Sequence, residues 1–163
     1  MEYFERLKEL SEKGNNKAAL KIASQWVLAE PENPKAWYNY GTLLNFTSNN
    51  IAAEKALRKC IDLDSKHVHG LANLGSVLCC SSNFDQAIDF FKKALKYSDK
   101  EDYGSILAKL ADCYLNIYKY DSAAPLIGEL YKYDQETALM LEGKMIRDAT
   151  SGKRRPWWKR LFN

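Results

Sequence analysis

Glycine and proline are scarce in this chain of 163 residues, at 8 and 4. A turn-rich β sandwich or barrel draws on more of both, so that class is disfavoured. No apolar run is long enough to span a bilayer. The first residues, Met1-Glu2-Tyr3-Phe4-Glu5-Arg6, lack the basic-then-apolar form of a secretory signal, so the cytosol is the expected compartment. The four cysteines, Cys60, Cys79, Cys80 and Cys113, form no CxxC pair and stand apart from the two histidines, His67 and His69. Adjacent Cys79 and Cys80 would chelate zinc poorly, so no metal is expected and the thiols read as reduced and partly buried. A glycine-rich phosphate loop, a His-Glu-x-x-His motif and a G-x-S-x-G motif are all missing. His67 and His69 read as a solvated connector and a groove residue, and Cys79 and Cys80 have no basic neighbour in the helix to stabilise a thiolate. The expectation is a non-enzymatic protein without a cofactor.

What is present is helical and repetitive. Hydrophobic residues make up 46% and charged residues 28%, enough apolar content for a real core. Shifting the sequence by 34 residues brings Asn39-Tyr40-Gly41 onto Asn73-Leu74-Gly75, Ala53 onto Ala87, and Ala19 onto Ala53. Two extra residues then bring Leu74-Gly75 onto Leu110-Ala111 and Ala87 onto Ala123. A period of 34 residues held in phase is the mark of a repeat architecture. Small residues at Gly41, Gly75 and Ala111 on one helix, and at Ala19, Ala53, Ala87 and Ala123 on the other, allow close approach; larger apolar residues at helical spacing fill the groove between them. Turns are predicted at 14–16, 48–50, 82–83 and 119–121. Asn83 with Gln86 reads as a helix cap with a reciprocal partner. Pro125 falls within or just past the first turn of its helix, where a missing N–H costs least.

The pattern resembles the tetratricopeptide repeat (TPR). The second unit, 34–67, carries Trp37, Tyr40, Gly41, Leu44, Ala53 and Leu57 at signature positions. The third, 68–101, carries Leu71, Leu74, Gly75, Leu78, Ala87, Phe91 and Ala94; the fourth, 104–137, carries Leu107, Leu110, Ala111, Tyr114, Ala123, Ile127 and Leu130. In the first, 1–33, Tyr3, Leu10, Ala19 and Pro31 fit, whereas Arg6, Leu7 and Ala23 depart. A capping helix over 138–149 would cover the last unit, and a tail over 150–163 follows. The resemblance implies an all-α fold, a right-handed α-α superhelix of about four repeats whose first helices line a concave groove holding a peptide or helix of a partner.

Carrying the family's groove positions across gives Lys35, Tyr38, Asn39, Thr42, Asn45 and Phe46 in the second repeat, and His69, Ala72, Asn73, Ser76, Cys79 and Cys80 in the third. In the fourth they fall on Ser105, Ala108, Lys109, Asp112, Leu115 and Asn116. Asn39 and Asn73 stand one repeat apart, where an amide can donate to and accept from a peptide unit. Alternatively each Asn caps or bridges neighbouring helices. The carboxylate clamp of the family's co-chaperones is disfavoured, because neither register supplies its Lys, Asn and Arg set: one reads Phe4, Lys8, Asn39, His69 and Asn73, the other Tyr38, Thr42, Asn73, Ser105 and Lys109.

Five of the 24 basic residues lie in 153–163, leaving 19 against 21 acids over 1–149. A slightly acidic repeat body therefore carries a basic, aromatic end. A short helix from Pro156 would place Trp157, Trp158, Leu161 and Phe162 on one face, with Lys159 and Arg160 turned away and Arg154 and Arg155 preceding. Contact with an anionic membrane surface or an acidic partner, docking on its own or a neighbouring copy's groove, and a loose end are three open readings of this tail. Nucleic-acid binding is disfavoured, since the repeats add no basic stripe. The expected function is an adaptor or scaffold in the cytoplasm, or peripheral at the inner face of a membrane. A small chaperone for a secreted or membrane client and a self-assembling homo-oligomeric scaffold are the alternatives.

Overall fold

A computed structural model describes residues 2–151, and all regular structure among them is helical. The helices are α1 (Glu2–Glu12), α2 (Asn16–Ala29), α3 (Pro34–Phe46), α4 (Asn50–Leu63), α5 (Val68–Cys80), α6 (Phe84–Tyr97), α7 (Lys100–Asn116), α8 (Tyr120–Leu130) and α9 (Gln135–Thr150). They fall into two compact units, Met1–Asn83 and Phe84–Asn163. In the first, each helix packs on the next in the chain, and α3 also meets α5. In the second, α6 packs on α7, α7 on α8, and α9 on both α7 and α8.

One turn recurs four times and sets the period. Gly14, Ser48, Ser82 and Tyr118 adopt left-handed backbone, with φ of 67°, 61°, 59° and 57°. After each, the N–H of Asn15, Asn49, Asn83 or Lys119 reaches back to the carbonyl of Leu10, Leu44, Leu78 or Tyr114, at 2.9, 2.9, 2.8 and 2.9 Å. This six-to-one bond satisfies a carbonyl orphaned at the helix end, as in the Schellman motif. Asn15 and Asn49 then cap the following helix, their side chains accepting from Ala18 N–H and Ala52 N–H at 3.1 and 3.3 Å. The last of these turns lies one residue earlier than the sequence pattern predicts. Tyr118 is the left-handed residue and Tyr120 already opens α8, its ring buried in the core.

Two other boundaries shift because aspartates cap the helices. Asp99 accepts from the N–H groups of Glu101 and Asp102 at 3.0 Å each, so α7 starts at Lys100, a turn before the predicted unit edge at 104. Asp134 accepts from Thr137 N–H at 3.0 Å, so the last helix runs over 135–150 rather than the predicted 138–149. Its last residue, Thr150, lies inside the predicted tail. The predicted tail contacts Arg154, Arg155, Trp157, Trp158, Lys159, Arg160, Leu161 and Phe162 lie outside the described residues. Pro125 is the sixth residue of α8, just past its first turn.

Packing follows the small–large pattern. Gly41 is buried against α4; a Cβ there would stand 2.8 Å from Leu57 Cγ and 3.2 Å from the Leu57 backbone nitrogen. Ala19, Ala53, Ala87 and Ala123 are all fully buried. In the first repeat the sizes are exchanged. Leu7 stands where the others have Gly41, Gly75 and Ala111, while Ala23 stands where they have Leu57, Phe91 and Ile127. Both are buried, in one cluster with Ala19, Trp26, Val27, Ala36 and Leu43. These two departures from the repeat pattern are therefore core residues, one large and one small, in the cluster between α1 and α2.

Candidate functional site

In the first unit, the predicted groove positions lie on α3 and α5. Tyr38, Asn39, Thr42, Asn73 and Ser76 are half-buried, whereas Lys35, Phe46 and His69 are exposed. Ala72 is buried at 4% exposure and belongs to the core rather than to a binding face. Asn73 Nδ2 donates to Thr42 Oγ1 at 2.9 Å, bridging α5 to α3. Asn39 Nδ2 donates to the Lys35 carbonyl one turn back in α3, at 2.7 Å. The helix-bridging alternative thus describes Asn73. Each of these bonds engages one N–H of an amide that carries a second N–H and a carbonyl oxygen. Ser76 Oγ donates to the Ala72 carbonyl at 3.1 Å.

At one end of this face the first unit holds a cavity of about 420 Å³. Five rings line it: Phe4 from α1, Trp26 from α2, Tyr38 from α3, His67 from the turn before α5, and His69 from α5. Tyr38 lies 5.0 Å from His67 and 6.1 Å from His69, both tilted. Trp26 stacks on Tyr3 at 6.1 Å and 9° and is itself only 5% exposed. Polar groups come from Glu30, Asn33, Lys35 and Asn39. Asn33 Nδ2 donates to Glu30 Oε2 at 2.6 Å. That bond is the main reason the Glu30 carboxyl lies below its usual range.

His67 is more than a solvated connector. Its Nδ1 accepts from Gly70 N–H at 3.0 Å, which makes it the N-cap of α5. Burial pushes the imidazole below the usual histidine range, while Asp64 acts in the opposite sense. Its neutral form, with Nδ1 accepting, carries the proton on Nε2. Of the lining residues, Lys35, Tyr38, Asn39 and His69 are predicted groove residues. Trp26, Glu30, Asn33 and His67 are missed, because they come from a second helix and two turns rather than from the groove-facing repeat positions. Phe4 sits one repeat before Tyr38, and that equivalence is the signal that could find it.

The fourth-repeat positions lie on α7 in the second unit. Leu115 is fully buried and belongs to the core, a correction to its groove assignment. Asp112 is engaged by the last helix: Lys144 Nζ meets Asp112 Oδ1 at 2.6 Å and Asn116 Oδ1 at 2.8 Å, and Asn116 Nδ2 donates to Asp112 Oδ2 at 3.2 Å. A partner would have to displace that ion pair to use Asp112. Lys109 is exposed by surface area, although surrounding protein holds its ammonium below the usual lysine range, with Asp102 acting against the shift. Cys60, packed under α5, has its thiol pushed up to about 12 by burial, so it stays a neutral core group.

Paired helices, the recurring left-handed turn and the small-residue contacts define a tetratricopeptide-type helical repeat protein. A solved tetratricopeptide repeat protein from Parabacteroides merdae has the same fold, with a TM-score of 0.74 over 93% of this chain and 60% of its own, at 15% identity. Residues 7–139 match the family model of the cilia and flagella-associated protein 70 middle TPR-like domain, and the chain belongs to that family. Cilia- and flagella-associated protein 70 of Homo sapiens is 32% identical over 68 residues, covering 42% of this chain and 6% of the relative. The BBSome complex member BBS4 of Bos taurus is 25% identical over 139 residues, covering 82% of this chain and 26% of the relative. The chain thus spans a small part of the curated relatives it matches. Its fold class is that of protein–protein interaction scaffolds, a class generally without catalysis. No helix among the described residues is long and apolar enough to cross a membrane.

Proposed function

We propose that this chain is a protein-binding module of a ciliary or flagellar assembly, and that the face formed by α3 and α5, extended by α1, holds a segment of a partner protein. The observation that carries this reading is the pairing of a half-buried polar strip, Asn39, Thr42, Asn73 and Ser76, with a ring-lined cavity at its end. Amide and hydroxyl groups suit the main chain of a bound segment, and the cavity suits a side chain. The names of the relatives support the setting: one is associated with cilia and flagella, another is a member of a multiprotein complex.

Co-purification from a ciliated or flagellated cell, with the wild type beside an Asn39→Ala/Asn73→Ala double variant, tests the reading. The expected result is a partner retained by the wild type and lost or strongly reduced with the variant, while helicity by circular dichroism is unchanged. Equal retention would remove the groove from the interaction.

A further inference from the structure

The cavity in the first unit has a more specific chemistry than a general protein groove. Its formal charges cancel, since Glu30 brings one negative charge and Lys35 one positive charge. The Glu30 carboxylate already accepts from Asn33 Nδ2 at 2.6 Å. A cationic side chain entering here would meet Lys35 and a carboxylate already hydrogen-bonded; an anionic one would meet Glu30. An uncharged side chain avoids both costs. Aromatic residues from four helices and a turn, Phe4, Trp26, Tyr38, His67 and His69, line it, Tyr38 packs within 5.0 and 6.1 Å of the two histidine rings, and Phe4 stands at 49% exposure. Rings prefer offset or edge contacts with other rings, and an aromatic side chain buries about 150–250 Å² when it docks. The volume of about 420 Å³ lies within the ordinary range of small-ligand sites and leaves room beside such a ring for its own backbone. Asn39 lines the same space, so its amide can meet the peptide group next to that ring.

We propose that this cavity is the anchor site for one uncharged aromatic side chain of the bound partner segment, with Asn39 engaging the adjoining peptide group. The inference rests on the groove reading above and adds the class of residue that a partner must present. Affinity of the segment then depends chiefly on that one residue, as buried aromatic anchors do in other interfaces.

The test uses the full chain and three probes: the N-acetyl methylamides of tryptophan, leucine and arginine, titrated while the side-chain NMR signals of Phe4, Tyr38, His67 and His69 are followed. Saturable shifts with the tryptophan probe are expected, about tenfold tighter than with the arginine probe, a difference of roughly 1.4 kcal/mol. His69→Ala and Phe4→Ala change exposed side chains, so the fold should persist by circular dichroism and thermal melting, and each should weaken tryptophan binding several-fold. Asn73→Ala lies outside the cavity lining and should leave the probe unaffected while it weakens partner capture.

Arginine binding as tight as tryptophan, or no saturable shift in a folded protein, overturns the anchor site. The groove reading survives that failure if partner capture still depends on Asn73. Probe binding with capture indifferent to Asn39 and Asn73 overturns the assignment to a partner segment and leaves a small-ligand cavity. Binding seen only in a Trp157→Ala/Trp158→Ala variant would show the chain's own tail to be the occupant, and so would overturn the assignment to a partner.

Discussion

At the scale of single residues, the fold depends on matched volumes. Gly41 has no space for a Cβ against Leu57, so Gly41→Ala is expected to destabilise the protein by about 1–3 kcal/mol, read from chemical denaturation. The first repeat has the sizes reversed at the equivalent positions, Leu7 and Ala23, which are buried in one cluster. Leu7→Ala should cost about 2–4 kcal/mol, because it empties buried volume. Leu7→Ala combined with Ala23→Leu should recover much of that loss, since the large residue is then restored on the other helix, as in the remaining repeats. A double-mutant cycle checks this, and strictly additive losses would mean that the two positions do not share a contact. A pattern read one position at a time registers Leu7 and Ala23 as two mismatches. Their joint burial in one cluster is what suggests the exchange.

Helix ends carry the next level of organisation. Ser48 holds a φ of 61°, a conformation that costs an L-residue about 1 kcal/mol, whereas Gly14 occupies the equivalent turn without that cost. Ser48→Gly should therefore raise stability by about 0.5 kcal/mol, the gain being limited by the greater freedom of glycine in the unfolded chain. His67 caps α5 through Nδ1, and it can accept from Gly70 N–H only when that nitrogen is unprotonated. Its folded pKa is lowered, so the unfolded chain binds a proton more readily on acidification. The stability contributed by neutral His67 is then present above the ordinary histidine pKa and is lost as pH falls through it toward the folded value. Melting temperatures measured between pH 8 and pH 5 should fall less for His67→Asn, whose amide caps without titrating, than for the wild type.

The same helix ends explain which features could be read from the sequence. The period of 34 is plain because Gly41, Gly75, Ala53 and Ala87 repeat in register and the turns between them share one geometry. The starts of α7 and α9 are harder to place, because Asp99 and Asp134 cap ahead of the apolar pattern that marks the unit edges. Tyr38, Asn39 and His69 follow from repeat position. The cavity does not, because Trp26, Glu30, Asn33 and His67 reach it from a second helix and two turns. Leu115 and Ala72 occupy groove positions by register yet face the core, since helical spacing alone leaves a residue at the edge of a face undecided between the two.

Across the whole molecule, the repeat body is slightly acidic and supplies a polar strip, a neutral ring-lined cavity and a second unit in which Lys144 occupies Asp112. Those features favour a partner recognised by its backbone and one uncharged anchor over one recognised by charge. The most direct test places a photo-crosslinking amino acid at Thr42 or Ser76 on the groove face, or at Lys21 or Lys55 on exposed positions of α2 and α4, in cells that contain the partner. The account predicts a discrete adduct from Thr42 and Ser76 and none from Lys21 or Lys55. Adducts from the α2 and α4 positions alone would contradict it.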